Sequence, residues 1–196
     1  MQDIFLSITN GEDETLRGLL RNVNDVNLIR DDYEKITIAH HAASVGTPSI
    51  VTQVLAMKHI DLTVKDHTGK SPLHIAVECN IQRHQSESIV RLFLDAHASV
   101  SAVDNKKQTP LHIAMLNKDI DSVRDLIEFG APKDVLDTES CSPMSMSESL
   151  NDSFKFYMNI LPPTSFPGAN KQEGSNEQII KNVGEALNKQ MNIFDE

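Results

Sequence analysis

The chain has 196 residues, of which 39% are hydrophobic and 5% aromatic, with no tryptophan. Its formal charge is -10, shared evenly between residues 1–136 and 137–196, and no basic cluster is denser than Lys106-Lys107. A nucleic acid or an anionic membrane surface selects a basic stripe, so neither is the expected partner. Two cysteines, Cys79 and Cys141, are too few for a disulfide-stapled secreted scaffold. The N-terminal residues lack the basic start and apolar run of a signal peptide, and no stretch has the length of a membrane span. The expected compartment is the cytoplasm, the nucleus or both.

Four segments along the chain are copies of one another. The first, Asp32 to Ala42, is weak. The second, Asp66-His-Thr-Gly69-Lys-Ser71-Pro72-Leu73-His74-Ile75-Ala76, and the third, Asp104 to Thr109-Pro110-Leu111-His112-Ile113-Ala114, are strong. The fourth, Asp137 to Ser142-Pro143-Met144-Ser145-Met146, is worn. Anchored on Thr37, Ser71, Thr109 and Ser142, the steps are 34, 38 and 33 residues. The long step has a local cause: Asn80 to Ser88 is polar and about five residues longer than its counterparts, and predicts a loop between two helices. The Thr or Ser predicts a helix cap that accepts a backbone N–H. Proline behind it needs no N–H partner. Leu73 with Ala76, and Leu111 with Ala114, lie three apart on one helix face. Gly69 permits a positive φ in the preceding turn.

This T-P-L-H-x-A run after a D-x-x-G turn resembles the ankyrin repeat, whose period is about 33 residues. Ile50-Val51 to Val54-Leu55, Ile89-Val90 to Leu94 and Val123 to Leu126-Ile127 match that family's second helix. Residues 1–30 are similar to a capping unit, with Gly11 at its inter-helix turn and Leu16, Leu19 and Leu20 inside. The resemblance implies an all-α repeat solenoid of stacked helix-turn-helix units with β-hairpin-like loops. It divides an ankyrin-repeat domain over residues 1–161 into a cap (1–30), repeats 31–65, 66–103 and 104–136, and a degenerate C-terminal cap (137–161). No unit of this kind buries its apolar face alone, so stacked neighbours form the core. The chain departs from the pattern in places. Lys35 and Lys107 stand where the turn has Gly, Ile38-Ala39 replaces Pro-Leu, and Asn80 and Lys118 stand at another usual Gly. Asn80 is the milder of these because Asn tolerates the left-handed region.

Residues 162–176 read as a flexible linker. In the tail, 177–196, Ile179, Ile180, Val183, Leu187 and Met191 form an apolar helical stripe that Gly184 weakens. That helix either packs back on the last repeat or serves as a recognition helix for a partner.

The eight histidines do not make an enzyme or a metal site. In the family the motif histidines, His74, His112 and the equivalent His40, bond the backbone of the neighbouring turn. The others are scattered, and no Cys/His spacing is that of a zinc site. Cys79 and Cys141 lie two units apart, roughly 20 Å, too far for a disulfide. Gly69-Lys70-Ser71 lacks the first glycine of a phosphate-binding loop. No catalytic residue, metal or cofactor is expected.

The family's concave side, lined by hairpin tips and the exposed start of each first helix, implies a protein-binding surface. Here it comprises Asp31, Tyr33, Glu34, Ile36, Ser44 and Val45 in the second unit. The third unit gives Lys65, His67, Thr68, Lys70, Glu78 and Cys79. The fourth gives Asn105, Lys106, Gln108, Leu116 and Asn117. Tyr33 is the first choice for an anchor, because interfaces favour aromatics; it could equally cover the thin N-terminal cap. The expected function is a non-catalytic adaptor or inhibitor, monomeric on its own. By fold analogy with short ankyrin proteins it is similar to NF-κB inhibitors and cyclin-dependent-kinase inhibitors. The alternative is a substrate-recruiting or regulatory subunit attached through its C-terminal helix.

Overall fold

The structure, a computed structural model, describes residues 2–21, 27, 34–80 and 88–160. Asp31 and Tyr33, the interior of the long loop, the linker and the tail helix lie outside the described residues. Five helix pairs follow one another: α1 (Gln2–Asn10) with α2 (Asp13–Leu20), α3 (Ile38–Val45) with α4 (Pro48–Leu55), α5 (Pro72–Asn80) with α6 (Ile89–Asp95), α7 (Pro110–Leu116) with α8 (Ile120–Glu128), and α9 (Pro143–Glu148) with α10 (Asp152–Ile160). Each is too short to persist alone in water. Packing supplies what length does not. The first helices α1, α3, α5, α7 and α9 stack in one layer and the second helices α2, α4, α6, α8 and α10 in another.

The core lies between the layers. Small residues at one register, Ala42, Ala76 and Ala114, are fully buried and let the helices approach. Leu73 and Leu111 fill one side, and Ile50, Val54, Phe93, Leu94 and Leu126 fill the other. Phe93 and its neighbours do the space-filling that tryptophan does elsewhere.

Three hydrogen-bond registers repeat from unit to unit. The first closes each helix start. Thr37, Thr109 and Ser142 accept from the backbone N–H three residues on, at His40, His112 and Ser145. The side chain at that third position answers by accepting the cap residue's own N–H. His40 Nδ1 does so at 3.3 Å, His74 Nδ1 and His112 Nδ1 at 3.1 Å. This is a capping box with histidine in the usual place of glutamate. The second register ties units together: Nε2 of His40, His74 and His112 lies 3.0, 3.1 and 3.2 Å from the carbonyls of Lys70, Gln108 and Cys141 in the next unit. A carbonyl only accepts, so Nε2 carries the proton and Nδ1 is bare. The third register builds each turn. Asp66 Oδ1 accepts from the backbones of Thr68 and Lys70, Asp104 Oδ1 from Lys106 and Gln108, and Asp137 Oδ1 from Glu139 and Cys141.

Left-handed backbone recurs at fixed places, whatever residue stands there. At the hairpin tip it is Lys35, Gly69, Lys107 and Ser140; at the inter-helix turn, Gly11, Gly46 and Lys118; after the second helix, His59, His97 and Gly130. Asn80 departs from the expectation placed on it: it does not enter this region but is the last residue of α5. The reason is the insertion behind it. The Asn80 amide donates to Asp119 (2.7 Å) and Ser122 (3.2 Å) at the start of α8.

Candidate protein-binding surface

The hairpins form one edge of the stack. Backbone bonds join successive tips: His67 N–H donates to Glu34 O, Asn105 N–H to Thr68 O, and Thr138 N–H to Lys106 O, at 3.0, 3.0 and 2.9 Å. The tips are therefore held at the spacing of the repeats, and side chains leaving them have fixed origins.

Much of the surface expected from the sequence is engaged within the stack. Ser44 donates to His41 O, and Val45 packs half-buried against the core. Thr68 donates to Asp66, Asn105 donates to His67 O, and Gln108 donates to Asp137. Lys70 and Glu78 form an ion pair with each other at 2.8 Å. Lys65 Nζ reaches the Val103 carbonyl at 2.6 Å while remaining exposed. Glu34 and Ile36 are half-buried, and the Glu34 carbonyl also lies 3.3 Å from His67 Nδ1. Asn117 closes α7, and its side-chain nitrogen is buried without a hydrogen-bond partner. The edge thus brings Glu34, His67, Thr68, Asn105 and Lys106 together. Leu116 and Asn117 stand apart, at the other end of α7, about 10 Å along the helix.

Of the exposed side chains the sequence placed on this surface, Leu116 and Lys106 take no part in the side-chain bonds just described. Leu116 is 56% exposed on α7, although its neighbours Ile113 and Met115 are buried. Lys106 is exposed at a hairpin tip. Sequence reasoning missed four others. Leu136, 56% exposed, precedes Asp137 as Lys65 precedes Asp66, so the repeat register alone would have found it. Lys35 and Lys107 were noticed only as missing glycines. Leu6, 58% exposed on α1, belongs to a unit without the motif, and no register pointed to it.

The buried histidines are not available for chemistry. Burial holds His40, His74 and His112 below the usual imidazole range, His74 at about 4, and the carbonyl of the next unit only partly opposes this. Each ring also has both nitrogens occupied. Neither Cys79 nor Cys141 is in a disulfide, and His74, five residues before Cys79 on the same helix, is tied to Ser71 and Gln108. Among the described residues no cluster of three His, Cys, Asp or Glu could hold a metal ion, and no helix is long and apolar enough to cross a membrane.

The repeat registers have counterparts in known proteins. A family profile described as ankyrin repeats (3 copies) matches residues 4–84, and single ankyrin repeats match 68–105 and 106–138. The chain is 27% identical to mouse Rabankyrin-5 over 146 residues, 74% of this chain and 12% of that protein. It is 24% identical to human neurogenic locus notch homolog protein 1 over 144 residues, 74% of this chain and 5% of that protein. It is 23% identical to regulatory protein SWI4 of Saccharomyces cerevisiae over 112 residues, 50% of this chain and 10% of that protein. The chain thus spans about an eighth or less of the length of these relatives. The profiles run from residue 4 to residue 138, the motif and its registers repeat within that span, and the chain belongs to the ankyrin-repeat family, a family of protein–protein interaction modules that is generally non-catalytic.

Proposed function

We propose that this chain is a non-catalytic binding module, acting as an adaptor or inhibitor, that holds a protein partner against its hairpin edge and the free face of its first helices. The observation that carries this reading is Leu116. A leucine 56% exposed on a helix whose other apolar residues are buried does nothing for the core. Exposed apolar anchors on a rigid frame are what an interface uses. The net charge of -10 favours protein over nucleic acid. One relative is named a regulatory protein, which supports a regulatory role of the kind that NF-κB inhibitors play. We place the protein in the cytoplasm or nucleus, monomeric until it meets its partner.

The test is capture from source cells with the full chain as bait, wild type beside Leu116→Ser and Leu136→Ser. Both variants should melt with the wild type, because neither side chain is buried. A protein retained by wild type and lost by either variant is the expected result. Identical recovery from all three baits would sink the reading for this face.

A further inference from the structure

The cations of this acidic chain are unevenly used. On the second helices they are paired: Arg17 with Glu14, Arg91 with Glu128 and Asp125, Arg124 with Asp121, Lys155 with Asp152. On the hairpin edge Lys70 is paired, with Glu78, but four other lysines are not. Lys35, Lys65, Lys106 and Lys107 are all exposed, and among the described residues none meets a carboxylate. They supply unneutralised charge in three successive units. Glu34 and Glu139 occupy the Lys106 register in the second and fifth units, so the positive stretch has ends.

The backbone at two of these lysines is a second observation. Lys35 (φ 53°) and Lys107 (φ 58°) stand in the left-handed region, at the register where the third unit has Gly69. A β-carbon is disfavoured there. Glycine would relieve the backbone, and among the described residues neither lysine side chain makes a hydrogen bond or ion pair that repays the strain. Strain kept at an exposed position without structural return points to function at that position.

Resting on the protein-binding reading above, we infer that the hairpin edge receives an extended acidic segment of the partner, with a carboxylate at about every third residue. The spacing follows from the stack. Packed helices stand 8–10 Å apart, roughly, and the backbone bonds between tips hold the hairpins to that step. An extended chain advances about 3.3 Å per residue, so three residues match one repeat. Carboxylates at that interval meet Lys35 at the second unit's tip and the Lys106-Lys107 pair two repeats on, with Lys65 at the base of the hairpin between them. Nucleic acid, with a phosphate on each nucleotide of each strand, offers charge far denser than this edge can match.

The probe is a fluorescein-labelled peptide of about 15 residues repeating Glu-Ser-Gly, titrated with the full chain by anisotropy in about 50 mM salt, where screening is weak. Controls are the Lys-Ser-Gly peptide, a peptide of the same composition with its glutamates at one end, and a short DNA duplex. Wild type should prefer the spaced acidic peptide. Lys35→Glu/Lys106→Glu/Lys107→Glu should lose at least about tenfold in affinity with its melting curve unchanged. Lys107→Gly should weaken binding while keeping the fold. Equal affinity for the reversed-charge variant, or tighter binding of the clustered peptide or the duplex, overturns the inference. Peptide binding that fails while Leu116→Ser still abolishes capture of a cellular partner overturns this inference alone and leaves the protein-binding reading standing.

Discussion

His74 Nε2 lies 3.1 Å from the carbonyl oxygen of Gln108, so a side chain of the third unit is bonded to the backbone of the fourth. The ring is neutral in this arrangement, and burial holds its pKa at about 4 against 6.5 when unfolded. A base depressed in the folded state supports the fold fully above its unfolded pKa and loses that support as pH falls toward the folded one. The window is therefore pH 6.5 down to about 4. By pH 5 the loss from His74 alone is about 2 kcal/mol, and His40 and His112 act in the same direction. Urea midpoints measured at pH 7 and pH 5 should drop accordingly. His74→Gln should be weaker at pH 7 yet lose less between the two pH values; parallel losses would show that the ring is not the sensor.

Gly69 and Lys107 occupy one register but should respond in opposite ways. A β-carbon on Gly69 would stand 2.7 Å from Asn105 N and 2.4 Å from its side-chain oxygen, at a φ of 79°. The Asn105 backbone is held by Thr68 O and has nowhere to move. Gly69→Ala should lose about 1–3 kcal/mol, combining strain with overpacking. Lys107→Gly should gain roughly 0.5 kcal/mol, the relief of left-handed strain less the entropy of the added glycine. Denaturant titration of the two variants decides this; a stable Gly69→Ala would contradict it.

Lys133 secures the last helix pair. It is buried, and its ammonium donates to Met158 O at 2.7 Å, near the C-terminus of α10, where helix carbonyls lack partners. Lys133→Ala should cost about 1–3 kcal/mol. The damage should be local. Limited proteolysis should cut near α10 sooner than in wild type, while the third and fourth units keep their protection. Uniform acceleration across the stack would mean that the cap does not unfold by itself.

Arg91 shields a carboxylate between α6 and α8. Asp125 is 5% exposed, and burial raises its pKa despite Arg124 and Arg91 nearby. Arg91 also bonds Glu128 at 2.6 Å and lies 4.9 Å over the Phe129 ring. Arg91→Ala should lose about 1–2 kcal/mol, discounted because the guanidinium is partly exposed. Asp125→Asn in that background should recover part of the loss. A double-mutant cycle without coupling would show that the two do not act as a pair.

What the sequence made legible was whatever repeats. Caps, motif histidines, small alanines and the hairpin turns recur at fixed steps, so each copy corroborates the others, and the worn fifth unit is legible from Asp137, the 33-residue step and its Ser142-Pro143 start. The aspartates that build the turns were visible as letters but not as acceptors of two backbone N–H groups each. Asn80 was misread because the motif places a turn there and an insertion removes the need for it. The surface was least legible. Thr68, Asn105 and Gln108 vary within the motif and looked free, yet contacts between units engage them. Leu6 emerged only when the layers were seen, since nothing periodic marks it.

The forward reach of the motif histidine gives the stack a polarity. Each ring closes its own helix with Nδ1 and extends Nε2 only toward the following unit. At the fifth unit Ser145 takes the ring's place. Its hydroxyl accepts from Ser142 N–H at 2.9 Å and returns a bond to Ser142 O at 2.8 Å, completing the inward half of the exchange with no arm left over. That substitution, which reads as decay of the motif, is a terminator: the ladder finishes on a residue that asks nothing of a successor. Cutting the array one unit earlier would take the Cys141 carbonyl from His112 Nε2 and expose the α7 face that the fifth unit covers.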